Sequence, residues 1–257
     1  MCKFKSCSGH LGLMLRKQHE ARCIFARFMH ILIFTGGDFP APARTEAYFE
    51  KNRFDYVIAA DSGADAAHAY GIRPDFVLGD MDSISGSRVL RGITEDKISR
   101  FARDKDFSDT ELALLRAREM LGGEARSGRV TLVGGDGGRI DHLLAIYDSF
   151  SEPYHADVWL AVHSAVYMLR GGQRGFIRNL GSGQDISFMR TSSSRSGGRI
   201  ITDGLMWEHD VFRPEGMPSL SNRIKPEYCK MHKDVSFYVQ DGDFLLCVNH
   251  DNEVVLS

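Results

Sequence analysis

The chain has 257 residues, 43% of them hydrophobic, which is enough for one large domain or two smaller ones and excludes disorder over most of its length. A formal net charge of −2 at pH 7 supplies no long-range field for nucleic acid, so a small-molecule partner is expected. No apolar run approaches the roughly 18 to 20 residues of a membrane helix, and the five cysteines, none in a CxxC pair, fit free thiols in a reducing compartment; a soluble, cytoplasmic protein is expected.

Residues 1–28 carry Lys3, Lys5, Arg16, Lys17, Arg22 and Arg27 against a single acid, Glu20. An arginine-rich, acid-poor leader can be a transit peptide. The plainer expectation is that the folded part starts at Met29 and that 1–28 is a disordered tail or an over-long start. From there Ile31 to Phe34 forms a short buried strand, and Gly36 and Gly37 permit a sharp turn or close approach to a ligand. A helix is predicted over Arg44 to Asn52, a strand over Tyr56 to Ala60, a small-residue helix over Ser62 to Tyr70 stopped by Gly71, and a strand over Phe76 to Leu78. Such alternation predicts a mostly parallel sheet with right-handed crossovers.

Both of those strands end in acids: Asp61 after the first, Asp80 and Asp82 after the second. Asp80 and Asp82, two apart, share a face only on extended backbone, which suits a metal clamp at a strand end. RDKDFSDTELAL then places Asp104, Asp106 and Asp109 before a helix over Thr110 to Leu121. Ser108 and Glu111 have the form of a capping box, and Leu114, Ala117 and Leu121 share its buried face. Next, Arg129 to Val133 is a strand running into GGDGG, with Arg139 and Asp141 at the start of a helix over Ile140 to Phe150. That helix's free N–H groups are expected to face a phosphate, with the Arg139 fork beside it; His142 fits a packed helix residue as well as a catalytic one and is assigned no role. Acids gathered at three strand ends repel one another, so the cluster implies a divalent cation, and hard oxygen ligands suit Mg²⁺.

Beyond residue 155 the texture changes to short alternating runs: Val158 to Val162, Ala165 to Leu169, Gly175 to Leu180, Ile186 to Met189, Ile200 to Thr202, Val235 to Val239 and Phe244 to Val248, with an Asp241-Gly242 hairpin signal. The expected fold class is α/β: an N-terminal Rossmann-like, mostly parallel sheet domain over 29–152, followed by a C-terminal antiparallel β-sandwich domain over 156–257.

Four blocks, ADSGAD from Ala60, PDFVLGDMDS from Pro74, KDFSD from Lys105 and GGDGGRIDH from Gly134, stand in that order. Together they resemble the thiamine pyrophosphokinase (thiamine diphosphokinase) family, whose members carry an ADGGAN-like turn and PD-x-x-x-GD-x-DS, [KQ]-DF-T-D and GG-x-x-GR-x-DH blocks. Two later elements, GLMWEH from Gly204 and SLSN from Ser219, resemble the family's GLK-[WY] and S-x-SN elements. Departures are Ser62 for Gly, Asp65 for Asn, Ser108 for Thr and Met206 for Lys. The resemblance spans Met29 to the end.

It implies transfer of a pyrophosphoryl group from ATP to the thiamine hydroxyl, leaving AMP and thiamine diphosphate. Asp80, Asp82 and Asp109 would hold Mg²⁺, with Asp106 and Asp141 nearby, and Lys105 and Arg139 would meet phosphate oxygens. Gly36, Gly37, Asp61, Ser62, Gly63, Ser108, Gly135 and Gly138 would line the nucleotide. Trp207, Ser219, Ser221 and Asn222 would receive thiamine, where stacking and cation–π attraction are worth on the order of 1 to 2 kcal/mol when desolvated. Relatives are homodimers with composite sites, so the same is expected here.

Two rival readings remain. DMDSI resembles the D-x-D-x-[TV] motif of haloacid-dehalogenase-type phosphatases, with Asp80 as nucleophile, but Ile84 fills the Thr/Val position and GGDGGRIDH would have no role. A non-catalytic thiamine or nucleotide sensor is the other, against which stand the five retained acids.

Overall fold

The structure is a computed structural model that describes residues 28–79, 94–100, 106–122, 128–194, 198–209 and 219–257. The expectation for residues 1–27, and those for Asp80, Asp82, Asp104 and Lys105, lie outside the described residues.

The first half alternates strand and helix as predicted: β1 (Met29–Phe34), α1 (Pro42–Lys51), β2 (Tyr56–Ala60), α2 (Gly63–Ala69), β3 (Phe76–Gly79), β4 (Ile98–Arg100), α3 (Asp109–Met120), β5 (Gly128–Val133), α4 (Ile140–Ser149) and β6 (Val158–Leu160). The strands lie in the order β6-β5-β1-β2-β3-β4, all parallel. Ile33 sits beside Ile58 on one side and Leu132 on the other. Parallel strands are covered on both faces, so their sequences are continuously apolar. Along β1, Ile31 and Ile33 join Leu114, Ala117, Leu132 and Ile146 under α3 and α4, while Leu32 and Phe34 join Ala66 and Ala67 under α2, because successive side chains take opposite faces.

The second half contributes β7 (Ala165–Leu169), β8 (Arg174–Arg178), β9 (Ile186–Arg190), β10 (Arg199–Asp203), β11 (Ser219–Asn222), the short helix α5 (Pro226–Lys230), β12 (Val235–Asp241), β13 (Phe244–Val248) and β14 (Glu253–Leu256). β7, β13, β9 and β11 extend the parallel sheet in antiparallel fashion to ten strands among the described residues. A second sheet, β10-β12-β8-β14, is antiparallel throughout. Its Ile177, Val235, Phe237 and Val239 share one core with Phe188, Leu169 and Leu246 of the large sheet, and the Phe188 and Phe237 rings meet edge to face at 6.0 Å. The α/β fold with an antiparallel sandwich is therefore present, and its two halves are joined edge to edge: β6 pairs in parallel with β5 and antiparallel with β7.

A buried ion network pins this junction. Arg118 Nη2 on α3 donates to Asp157 Oδ2 at 3.0 Å, and Arg170 Nη2 donates to Asp157 Oδ1 at 3.0 Å. Asp157 Oδ2 also accepts the Val130 amide. Removing one partner of such a set leaves a buried charge uncompensated, which is strongly destabilising.

Candidate active site

From β1 the chain moves outward through β2, β3 and β4, then crosses back to β5 on the other side of β1. The loops after β1 and β5 consequently diverge, and in open α/β sheets ligands occupy the crevice made at such a reversal. A cavity of ≈ 660 Å³ opens there. It is lined by Thr35, Gly36 and Gly37 after β1, Asp61 and Ser62 after β2, 106–111 and Leu114 of the α3 region, Gly135 after β5, and Arg139, His142, Ala145, Ile146 and Ser149 of α4.

Local geometry explains how these loops come together. Thr35 Oγ1 lies 2.5 Å from Thr110 Oγ1, tying the end of β1 to the first turn of α3. Asp61 has φ +49, a left-handed conformation that Asp adopts more readily than most residues, and its amide donates to the Leu78 carbonyl. The GGDGG loop has positive φ at Gly134, Gly135, Gly137 and Gly138. Its Asp136 turns away from the cavity: both carboxylate oxygens accept the Val162 amide, and burial raises its pKa. Trp159 Nε1 donates to the Gly134 carbonyl at 2.7 Å and braces the same loop from β6.

Of the expected site residues, Gly36, Gly37, Asp61, Ser62, Asp106, Ser108, Asp109, Gly135 and Arg139 line the cavity. Gly63 does not; a Cβ there would stand 2.2 Å from the Phe34 carbonyl oxygen, so it is the contact by which α2 closes onto β1. Gly138 also lies off the lining, as does Asp141, which pairs with Arg139 through Nε at 3.1 Å and Nη2 at 2.5 Å. That guanidinium holds the Asp141 carboxyl at about 2. The Ser108 hydroxyl is engaged in the capping box, accepting the Glu111 amide and donating to Glu111 Oε2 at 2.7 Å. α4 presents its side rather than only its end: His142, Ala145, Ile146 and Ser149 follow helical spacing along the cavity wall. Thr35, Thr110 and His142 were not expected on the lining. Thr35 directly precedes the Gly36-Gly37 turn, the one local signal that could have marked it.

Asp61, Asp106, Asp109 and Glu111 give the cavity a set of hard oxygen donors whose chemistry suits Mg²⁺. Among the described residues no group of three or more His, Cys, Asp or Glu converges on one point, and Asp80 and Asp82 lie outside them.

The expected thiamine elements form a second cluster. Asn222 is fully buried; its Oδ1 accepts the Trp207 amide at 3.3 Å, and its Nδ2 donates to the Trp207 carbonyl at 2.8 Å and to Ser219 Oγ at 3.1 Å. Ser219 is buried as well, whereas Ser221, at φ +53, is exposed and the Trp207 side chain remains 52% exposed. Six strand spacings separate β11 from β1 in the sheet order, about 29 Å measured along the sheet, so within one chain the cavity and the Trp207 cluster are far apart.

A parallel sheet with glycine loops and acids at its carboxyl edge, carrying an antiparallel sandwich, defines an α/β protein built to hold a phosphorylated ligand. Residues 49–161 match the family described as thiamin pyrophosphokinase, catalytic domain. Over that stretch the chain is similar to the thiamine pyrophosphokinase family. The fold is similar to that of a thiamin pyrophosphokinase family protein from Enterococcus faecalis, with a TM-score of 0.64 at 19% identity over 86% of this chain and 98% of the other. It is also similar to the thiamine pyrophosphokinase of Bacillus subtilis, TM-score 0.62 at 19% identity over 86% and 99%. For thiamin pyrophosphokinase from Candida albicans the TM-score is 0.59 at 14% identity over 88% and 90%. At these identities the likeness establishes the fold. No curated protein sequence matches the chain.

Proposed function

We propose that the chain transfers the pyrophosphoryl group of ATP to the hydroxyl of thiamine, giving thiamine diphosphate and AMP. The observation that carries this reading is the cavity at the strand-order reversal, where Gly36, Gly37 and Gly135 bring backbone close to a ligand while Asp61, Asp106, Asp109 and Arg139 surround it, all but Gly36 and Gly37 within the segment matched to the family's catalytic domain. Attack falls on the β-phosphorus of ATP, so the α- and β-phosphates must be fixed and their charge neutralised; such catalysis is chiefly positioning plus electrostatic stabilisation.

Arg139, rooted by Asp141 at the entrance to α4, would present its planar fork to phosphate oxygens, and Lys105 would add a point charge. Asp80, Asp82 and Asp109 would hold Mg²⁺, which when bound supplies charge neutralisation at the phosphates. Asp106 would stand in the same shell, and Gly138 would shape the glycine loop rather than meet the nucleotide. Region 29–152 would take the nucleotide, and region 156–257, through Trp207 and Ser221, would take thiamine, with Ser219 and Asn222 holding that platform from beneath. Because about 29 Å of sheet separates the two sets within one chain, the complete site would be shared between the subunits of a homodimer. Among the described residues no helix is long and apolar enough to cross a membrane, which accords with a cytoplasmic enzyme.

Incubation of the purified protein with ATP, thiamine and Mg²⁺ tests the reading. The expected products are AMP and thiamine diphosphate in equal amounts. Release of orthophosphate from ATP or from phosphate esters without use of thiamine would favour the phosphatase, and tight thiamine binding without turnover would favour the sensor.

A further inference from the structure

Trp207 is half exposed, yet the backbone that carries it is held from several sides. The Glu208 carboxylate, on the neighbouring residue, is mostly buried and accepts four hydrogen bonds. Oε1 takes the Gly204 amide at 2.9 Å, the Leu205 amide at 3.1 Å and Lys225 Nζ at 2.6 Å; Oε2 takes the Thr202 hydroxyl at 2.7 Å. Thr202 Oγ1 in turn accepts the His209 amide at 3.1 Å. From the opposite side, the Asn222 side chain clasps both the amide and the carbonyl of Trp207, and the Met206 amide donates to the Arg223 carbonyl at 2.8 Å.

We infer that Glu208 is a positioning residue for thiamine recognition: its carboxylate folds segment 204–209 back on itself so that the Trp207 ring is presented as a fixed platform. This rests on the reading of Trp207 as the thiamine-stacking residue. Lys225 favours an acid here. Among the described residues the Gly204 and Leu205 amides and Lys225 Nζ converge on Oε1 and can only donate, while the Thr202 hydroxyl can donate or accept, so a carboxamide keeps these contacts only by reversing the Thr202 bond and gives up the negative charge opposite the ammonium. Carboxylate hydrogen bonds to backbone amides and to an ammonium are also about twice as strong as neutral ones. A rigid ring has its ordering cost met before the ligand arrives, which favours binding.

The test compares Glu208→Gln with the wild type by two readouts. The first is steady-state kinetics: KM for thiamine is expected to rise on the order of tenfold while KM for ATP stays within about twofold, because neither Glu208 nor any of the groups bonded to it lines the nucleotide cavity. General destabilisation would not divide the two substrates in this way. The second needs no substrate. The chain has two tryptophans, and Trp159 is buried, so iodide-quenchable emission reports Trp207. The anisotropy of that emission is expected to fall in Glu208→Gln. Should this variant fail to fold, Lys225→Met, which removes one of the four donors, is expected to shift both readouts in the same direction by less. Thiamine and ATP KM values that move together, or an unchanged anisotropy, would overturn the inference. A wild type that forms no AMP from ATP and thiamine would overturn the function and the ligand named here, while the anisotropy separately decides whether Glu208 holds Trp207.

Discussion

Gly63 shows how much a single position without a side chain can decide. It belongs to the ADSGAD turn and resembled a nucleotide contact, yet its role is to let the first turn of α2 touch the Phe34 carbonyl at the end of β1. Gly63→Ala must push helix and strand apart, and a loss of roughly 1 to 3 kcal/mol of stability is expected, read as a lower urea midpoint. An unchanged midpoint would mean that α2 can shift freely. Protonation acts at residue scale too. His30 is buried against Thr131, its Nε2 2.8 Å from Oγ1, and burial lowers its pKa from 6.5 to about 4. Burial lowers His155 and His250 as well. An unfolded chain binds these protons first, so the stability that neutral His30 contributes is full above pH 6.5 and is lost as pH falls toward about 4. Unfolding free energies from urea titrations are expected to drop across that window, by up to about 3 kcal/mol for His30 alone. A flat profile would contradict the buried neutral imidazole.

At the scale of elements, α3 was the most legible part of the chain. Ser108 and Glu111 form the capping box that the S-x-x-E spacing announced, and Leu114, Ala117 and Leu121 are buried together. Ser108→Ala is expected to cost about 1 kcal/mol by loss of the cap. An equal loss in Glu111→Gln would not follow, because the carboxamide oxygen can still accept the Ser108 amide; thermal unfolding of the two variants checks this. What the sequence did not reveal were mainly edges. β4 and β11 close the ends of the large sheet and β14 one end of the small one. An edge strand pairs on one side only and requires no continuous apolar run, so three-residue Ile98–Arg100 and polar Ser219–Asn222 carry no strand signal. The same limit hid the role of Asn222: a polar residue in a turn-like SLSN gives no sign that it is fully buried.

For the whole molecule, the alternation of strands and helices and the later change to short strands announced both architectures. Their union into one sheet was not legible, since Val158–Leu160 is equally apolar whether its neighbours run parallel or antiparallel. The cavity residues could be anticipated because glycine turns and acids followed strand ends, whereas the distance from Arg139 to Trp207 depends on strand order, which no local pattern contains. That distance leads to a further prediction. Asp109→Asn and Trp207→Ala are each expected to be nearly inactive alone, and mixing them under conditions of subunit exchange should restore up to about a quarter of wild-type activity, since one of the two sites in each mixed dimer is intact. Absence of any recovery despite exchange would place both residues in one subunit's site.

The central claim is that a triphosphate held at the strand-order reversal is cut between its first and second phosphorus atoms. Its most direct test follows ATP labelled at the β-phosphorus through the reaction with thiamine. The label is expected to appear in thiamine diphosphate, bonded to the thiamine oxygen, with unlabelled AMP as the other product; label retained in ADP, or released as free phosphate, would contradict the account.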